Sequence, residues 1–401
     1  GDRPTGIQDL ALIYQGGSHR LDWTVDEFRP YVVHRFADGS KDWLFDGFLF
    51  LEFKDGSGRN YTVGYEKLNA RRTEWEWLLD RIFEQGKSLS ALDRCIGQEI
   101  KELGKPAFRH QIVLGLPEAI RGQKDWGEID GREMDFSKEE DQIAATKWYI
   151  GELVERFKAA KYKHLELSGF YWVAEDTHHC AELTIPLSEY IHSEGKLFYW
   201  IPYWQAKGHE EWKRLGFDVA YQQPNHFFNH SIPDSRLDEA CATARRHGMA
   251  MEFEFDEKAT AAIPNSSHDR MAAYINHFEK NDVFNSSAVA YYCGNRGVLT
   301  LDESDNPKDK ALMDRLARII QARRYLKYGI PMKNKTRVVA HRGFWHTDGS
   351  AQNSIASLLK ADQLGVYGVE FDVWMASDGV PVLNHDGWHD GYEVQSTPST
   401  V

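Results

Sequence analysis

Cysteine is scarce. Of 401 residues only Cys95, Cys180, Cys241 and Cys293 are of this type, widely spaced and with no CxxC pair. Neither a disulfide framework nor a zinc knuckle is therefore indicated, and His178-His179-Cys180 reads as a solvated loop. No apolar run reaches membrane-spanning length, so no span is expected. Positive charge is also in short supply: 48 Lys and Arg against 61 Asp and Glu leave a net charge of −13. Nucleic-acid recognition needs a basic footprint, and this composition argues against it. Tyr14-Gln15-Gly16-Gly17 lacks the GxGxxG spacing of a dinucleotide-binding turn. There is no internal repeat and no low-complexity tract. The chain begins Gly1-Asp2 rather than with Met, the start expected after removal of an export signal, so a secreted or periplasmic location is expected.

Aromatic residues are plentiful at 13%, including 13 Trp and 18 Tyr, a supply of faces on which sugars stack or large cores pack. The length calls for one large domain plus a smaller piece. Eight short apolar runs organise the first part, at residues 10–14, 44–53, 111–116, 165–172, 197–203, 219–222, 249–254 and 288–293. Amphipathic stretches at 141–159, 210–214, 237–247 and 267–280 alternate with them. Strands alternating with helices predict right-handed parallel βαβ units, and eight of them predict an α/β fold of the closed (β/α)8 type over residues 1–332. A doubly wound sheet is the alternative. Residues 54–65 read as a short hairpin and 118–138 as a loop over one face. Asn306-Pro307 opens a long helix that Gly329 and Pro331 end. A short basic linker, 332–337, then leads into a second domain at 333–401.

Barrel chemistry sits where strands end. In Met249-Ala250-Met251-Glu252-Phe253-Glu254-Phe255 the side chains alternate, so the apolar set faces the helix layer and Glu252 and Glu254 face the barrel mouth. Glu175 and Asp176 follow the fourth strand, while Glu166 lies early in it and is expected to be ion-paired at the barrel bottom. Two acids across a scissile bond can protonate a leaving oxygen and attack, or activate water for attack on, an anomeric carbon. Glu175 is expected as acid/base and Glu254 as nucleophile, with Glu252 close behind. Trp172, Trp200, Tyr203 and Trp204 offer stacking faces for a carbohydrate. Gln15, Tyr221, Gln222, Asn225, Tyr292 and Asn295 offer hydrogen bonds, and Asp46 is a secondary candidate. No cofactor is expected here.

An acid after strand four and another at the end of strand seven resembles the large clan of retaining (β/α)8 glycoside hydrolases, with Ala174-Glu175 where that clan has Asn-Glu. Leu12-Ile13-Tyr14, Asp46-Gly47-Phe48, Gly169-Phe170-Tyr171-Trp172 and Tyr221-Gln222-Gln223-Pro224-Asn225 resemble a family of secreted bacterial proteins known as a domain of unknown function. That resemblance implies a barrel and an exported location.

The tail carries Val338-Val339-Ala340-His341-Arg342-Gly343, then Gly368-Val369-Glu370-Phe371-Asp372-Val373, Ser377-Asp378-Gly379 and Val382-Leu383-Asn384-His385-Asp386. This set resembles glycerophosphodiester phosphodiesterases. It implies His341 and His385 as the acid/base pair, Glu370 and Asp372 as ligands of a calcium or magnesium ion, and Arg342 as the phosphate holder. Glu370 and Asp372, two apart on a strand, share a face, and their hard oxygens suit such a cation. Gln352-Asn353 stands where that family has Glu-Asn. About 65 residues of a barrel of roughly 250 are present. A barrel third exposes edge and core, so this part is expected to be a remnant of a longer chain and inactive as it stands. Together the two parts predict a hydrolase acting on a carbohydrate or glycerophosphate-bearing substrate. The alternative is a phosphodiesterase whose first domain is a non-catalytic glycan-binding module or scaffold.

Overall fold

The computed structural model describes residues 6–331 and 336–401. The chain separates into two compact units, Gly1–Ile330 and Pro331–Val401. The chain start, the boundary expected near residue 332 and most of the 332–337 linker lie outside the described residues.

The first unit is a closed parallel barrel. Its strands are β1 (Asp9–Tyr14), β2 (Gly47–Leu51), β3 (His110–Leu116), β4 (Leu165–Trp172), β5 (Leu197–Trp200), β6 (Val219–Gln222), β7 (Ala250–Glu254) and β8 (Val289–Tyr292). They pair in chain order around the ring, and β1 closes it against β8, with Asp9 opposite Val289. Each of the eight apolar runs supplies one strand. Strand alternation divides them between two cores. Leu12, Tyr14, Leu49, Leu51, Val113, Tyr171, Tyr199, Tyr221 and Ala290 fill the interior. Ile13, Phe48, Leu114, Phe170, Phe198, Met251 and Phe253 pack outward under the helices.

Most crossovers are helical. They include α1 (Val25–Val32), α2 (Arg72–Ile82), α3 (Ser88–Leu103), α4 (Glu139–Ala160), α5 (Ala181–Ser193), α6 (Ser235–His247), α7 (His268–Lys280) and α8 (Pro307–Tyr328). Asn306 caps α8 by accepting from the Lys308 N–H, and Gly329 ends it at φ +60°. The 210–214 stretch departs from expectation. It holds only a 3-10 turn at His209–Glu211, so the β5–β6 crossover has no α-helix among the described residues. The 118–138 loop carries a small hairpin pairing Glu128–Ile129 with Arg132–Glu133.

Strand β4 has an irregularity that the sequence pattern hides. Its register against β3 shifts between Leu167 and Gly169, leaving Ser168 as an extra, bulged residue. Before the bulge, Leu165 and Leu167 face outward; after it, Phe170 and Trp172 do, while Tyr171 and Val173 turn inward. The Ser168 hydroxyl bonds the interior Tyr199 hydroxyl at 2.7 Å.

The second unit pairs β9 (Val339–His341) in parallel with β10 (Gly368–Glu370), joined through α9 (Ile355–Gln363). A short antiparallel pair follows, β11 (Val373–Met375) with β12 (Pro381–Leu383). Of its described apolar side chains only Ala361, Ala376 and Val394 are buried. Ile355, Leu359, Tyr367, Val373, Leu383 and Trp388 are exposed, as expected for part of a barrel.

Candidate active site

Strand β7 delivers two acids to the interior. Glu252 pairs in register with Ala290 and Glu254 with Tyr292, while Met251 and Phe253 lie in the outer core. Both acids are buried and both line a cleft of about 440 Å³ at the mouth. Glu254 is held from several directions. Its Oε1 accepts from the Tyr274 hydroxyl on α7 at 2.7 Å and from the Asn225 N–H at 2.7 Å. The Asn225 amide also reaches its Oε2 at 3.4 Å. Burial lifts its pKa to about 7, those donors pull down, and the Glu175 charge pushes up. Glu252, one inward position deeper, has no hydrogen bond or ion pair among the described residues. Burial, then the charges of Glu254 and Glu175, raise its pKa well above the ordinary range.

Glu175 reaches the same cleft because of the β4 bulge. The rephased chain continues inward at Val173 and outward at Ala174, and Glu175 joins the cleft lining. Its Oε1 accepts from the Gln223 amide at 2.9 Å, and burial is the main cause of a pKa near 7. The Gln223 side-chain oxygen Oε1 accepts from the Asn225 side-chain amide at 2.9 Å. One hydrogen-bonded chain, Glu175–Gln223–Asn225–Glu254, thus links the two acids. Gln223 follows the inward Tyr221 by two residues, so the interior amide of this segment is Gln223, not Gln222.

The cleft walls are aromatic. Tyr14, Phe53, Tyr65, Tyr171, Phe228 and Tyr292 line it, with Arg20 and Lys54 at its edge. Tyr65 stacks on Phe53 at 4.5 Å and stays 42% exposed; Phe228, 50% exposed, meets Tyr292 edge-on at 5.4 Å. Arg20 lies 4.7 Å over the Tyr14 ring and forms a bidentate pair with buried Glu52. Sequence reasoning missed Gln223, Tyr274, Tyr65, Phe228 and Arg20. The two-residue step from Tyr221 could have found Gln223; the others come from loops or a helix whose reach no periodicity encodes. A side cavity of about 220 Å³ continues past Glu175 and Tyr65 to Glu118, Asp176, His178, His179 and Tyr203. Tyr203 donates there to Asp176 at 3.1 Å.

Several expected sugar contacts are corrected. Trp172 and Trp200 are fully buried in the outer core, where Trp200 stacks on Phe217 at 4.8 Å and donates to the Ala174 carbonyl, so neither has a face free for a ligand. Gln222 points away from the cleft and donates to the Tyr203 and Gln223 carbonyls. Tyr221 lies in the interior core near Tyr199, Asp46 and Asp9 rather than at the mouth. Asp46 precedes the first residue of β2 and closes the opposite end of the barrel. It accepts from the Gln8 and Asp9 N–H groups, and burial, then Asp9, raises its pKa to about 6. Trp204 packs under Arg236, and neither it nor Asn295 lines a described cavity around the acids. Gln15 is buried beside Leu78 and Pro117. Glu166 is exposed, bonded to the Gln111 amide rather than ion-paired. Asn225 positions Glu254, and Tyr292 keeps its place in the cleft wall.

In the second unit, four of the five expected residues converge where β9 and β10 end. The Arg342 N–H donates to Glu370 at 3.2 Å, the Arg342 guanidinium lies 3.2 Å from Asp372, and His341 lies 3.9 Å from Glu370. Asn353 donates to the same Asp372 oxygen at 3.0 Å. The second oxygens of Glu370 and Asp372 have no partner among the described residues, so both carboxylates fit a hard divalent cation. His385 instead faces Asp386 at 2.9 Å.

Fold and site together define a (β/α)8 protein with two buried carboxyls and a half-buried third in an aromatic cleft, followed by a second, small α/β unit. The chain belongs to the family described as domain of unknown function DUF4855, whose family model matches residues 9–318. Residues 341–395 match the glycerophosphoryl diester phosphodiesterase family. Glycerophosphodiester phosphodiesterase 1 of Rattus norvegicus and that of Mus musculus are each 39% identical over 67 residues, 17% of this chain and 19% of theirs. The chain therefore spans about a fifth of the length of these curated relatives. Among solved structures, a noncanonic maltogenic alpha-amylase from Thermotoga neapolitana has a TM-score of 0.43 at 11% identity, covering 78% of this chain and 76% of that one. Tryptophan synthase alpha-subunit from Pyrococcus furiosus has a TM-score of 0.36 at 9% identity, covering 79% and 98%. No helix of the described residues is long and apolar enough to cross a membrane.

Proposed function

We propose that the barrel is a glycoside hydrolase acting on a glycan with retention of configuration. The observation that carries this reading is that Glu175 and Glu254, both with pKa near 7, line one open cleft and are joined through Gln223 and Asn225. Ionised Glu254, steadied by Tyr274 and Asn225, attacks the anomeric carbon. Protonated Glu175 gives its proton to the departing oxygen, and a glycosyl ester forms on Glu254. Glu175 then takes a proton from water as that water attacks, which frees Glu254 and regenerates the acid. Glu252, whose pKa burial pushes well above the ordinary carboxyl range, faces the bound sugar from below as a hydrogen-bonding group. Tyr65, Phe228 and Tyr292 supply the stacking faces.

The test is release of reducing ends from a glycan panel by the purified protein. E254Q is expected to lose at least about a thousandfold in kcat. E254A with azide is expected to yield a glycosyl azide. A cleaved glycan with unchanged turnover in E254Q would remove Glu254 from the chemistry. In a ligand-bound structure, a carboxyl separation of roughly 5–5.5 Å fits retention and roughly 6.5–9.5 Å fits inversion.

For the second unit the same proposal assigns a glycerophosphodiester-type substrate. Arg342 would hold the phosphate and Glu370 and Asp372 a divalent cation, which would polarise the phosphodiester. His341 would move the proton, with His385 joining it in the complete domain. The two activities together suit a glycerophosphate-decorated polymer outside the cell or in the periplasm.

A further inference from the structure

The β5–β6 crossover, short of a helix, brings two histidines and a glutamate together on the outside of the barrel. His209 and Glu210 lie in the 3-10 turn, and His247 is the last residue of α6. Their ligand-type atoms all fall within 4.8 Å of one another. Glu210 Oε1 lies 3.9 Å from His209 Nε2 and 3.8 Å from His247 Nε2. Three further features single this cluster out. His209 Nδ1 lies 2.7 Å from the Ala206 carbonyl oxygen. A carbonyl only accepts, so Nδ1 carries the proton in the neutral ring and the Nε2 lone pair faces the cluster. This is the outer hydrogen bond that orients histidine ligands of metals. His247 Nε2 is buried with no hydrogen-bond partner, which is costly for a polar atom unless something fills the place. The carbonyl end of α6 adds negative potential at the same point, and Trp212 ties the His247 carbonyl down at 2.9 Å.

We propose that His209, Glu210 and His247 form a binding site for a divalent transition cation of the zinc type, which clips the β5–β6 crossover to the end of α6. Two imidazoles and one carboxylate suit zinc and disfavour calcium and magnesium, which prefer all-oxygen shells. Zinc–ligand bonds of about 2.0–2.2 Å set tetrahedral ligand atoms about 3.4 Å apart, so Glu210 must close by about half an ångström on each imidazole, and the two imidazoles, within 4.8 Å of each other, must close as well. Rotation of the exposed Glu210 side chain and of the His247 ring supplies that movement, and water completes the tetrahedron. The site is separate from the carboxyl trio, and its occupancy does not depend on the hydrolase reading.

Zinc binding to the EDTA-stripped full chain is measured by titration calorimetry at pH 7.5, beside H209A, H247A, E210Q and a Glu370→Gln/Asp372→Asn control. Wild type and the control are expected to share one site of about micromolar affinity. H209A and H247A are expected to lose it, and E210Q to bind about tenfold more weakly. Zinc is expected to raise the Tm of wild type by several degrees and that of H247A not at all. Equal stoichiometry and affinity in H209A and H247A would overturn the site. Binding without any rise in Tm would overturn the clip. Far-UV circular dichroism checks that the variants fold, and E210Q, altered only at an exposed side chain, keeps the test open if a histidine variant does not.

Discussion

Glu252 is the most exposed to pH of the residues in the cleft, because nothing offsets its burial. Its pKa in the folded chain lies above the ordinary 4.5, so the folded state holds the proton more tightly than the unfolded one. The stability this confers is complete below about 4.5 and is lost as pH rises through the raised value. Urea unfolding is therefore expected to weaken between pH 5 and pH 8. E252Q should lose less over that interval and exceed wild type at pH 8 by about 1–3 kcal/mol. Equal losses in the two proteins would contradict an unpaired buried carboxyl. Tyr274 acts on Glu254 in the opposite sense. Y274F removes a donor to the ionised form, so the pKa of Glu254 is expected to climb by about one unit, read from the acidic limb of kcat/KM on a cleaved glycan or from a carboxyl NMR titration. Glu252 and Glu254 were legible in the sequence because the apolar residues around them alternate without interruption. Trp172, Trp200 and Gln222 were misread because both faces of a barrel strand are apolar, so aromatic content does not say which face opens to solvent.

At the scale of elements, the eight strands were legible as eight apolar runs, and the closing helix 307–328 was legible from its Pro and Gly punctuation. The β4 bulge was not. Continuous alternation from Leu165 and Leu167 would carry Tyr171 and Glu175 outward and Trp172 inward; one inserted residue reverses all three. Only pairing with β3 and β5 reveals that phase change. Gly169 makes it possible, since a Cβ there would stand 2.0 Å from the Leu197 carbonyl oxygen and 2.8 Å from its carbon. G169A is expected to cost about 3 kcal/mol, seen as a lower urea midpoint at unchanged slope, because backbone rather than a flexible side chain must give way. A variant as stable as wild type would mean β4 and β5 are not packed so closely. The helix anticipated at 210–214 is replaced by a 3-10 turn between two left-handed glycines, Gly208 at φ +92° and Gly216 at φ +97°, which cap the stretch at both ends.

At the scale of the molecule, the two units differ in how well each closes its own core. The barrel buries an inner and an outer apolar set, whereas the second unit leaves most of its apolar side chains in contact with water. Val373 and Leu383 face each other across β11 and β12, 58% and 49% exposed. Replacing them with a Lys–Glu pair, V373K with L383E, should shift folding stability by no more than about 0.5 kcal/mol. It should also reduce concentration-dependent light scattering. A large drop in stability would show that these side chains are covered after all.

That uncovered hydrophobic side has a consequence for the phosphodiester chemistry proposed above. His341, Arg342, Glu370 and Asp372 sit at the tips of strands whose flanks remain wet, so the strands that carry these polar groups lack a firm backing. Whatever shields those flanks would also stiffen the tips, and anion or cation affinity would rise in step with shielding. Formation of that proposed site and covering of its flanks would then be a single cooperative event.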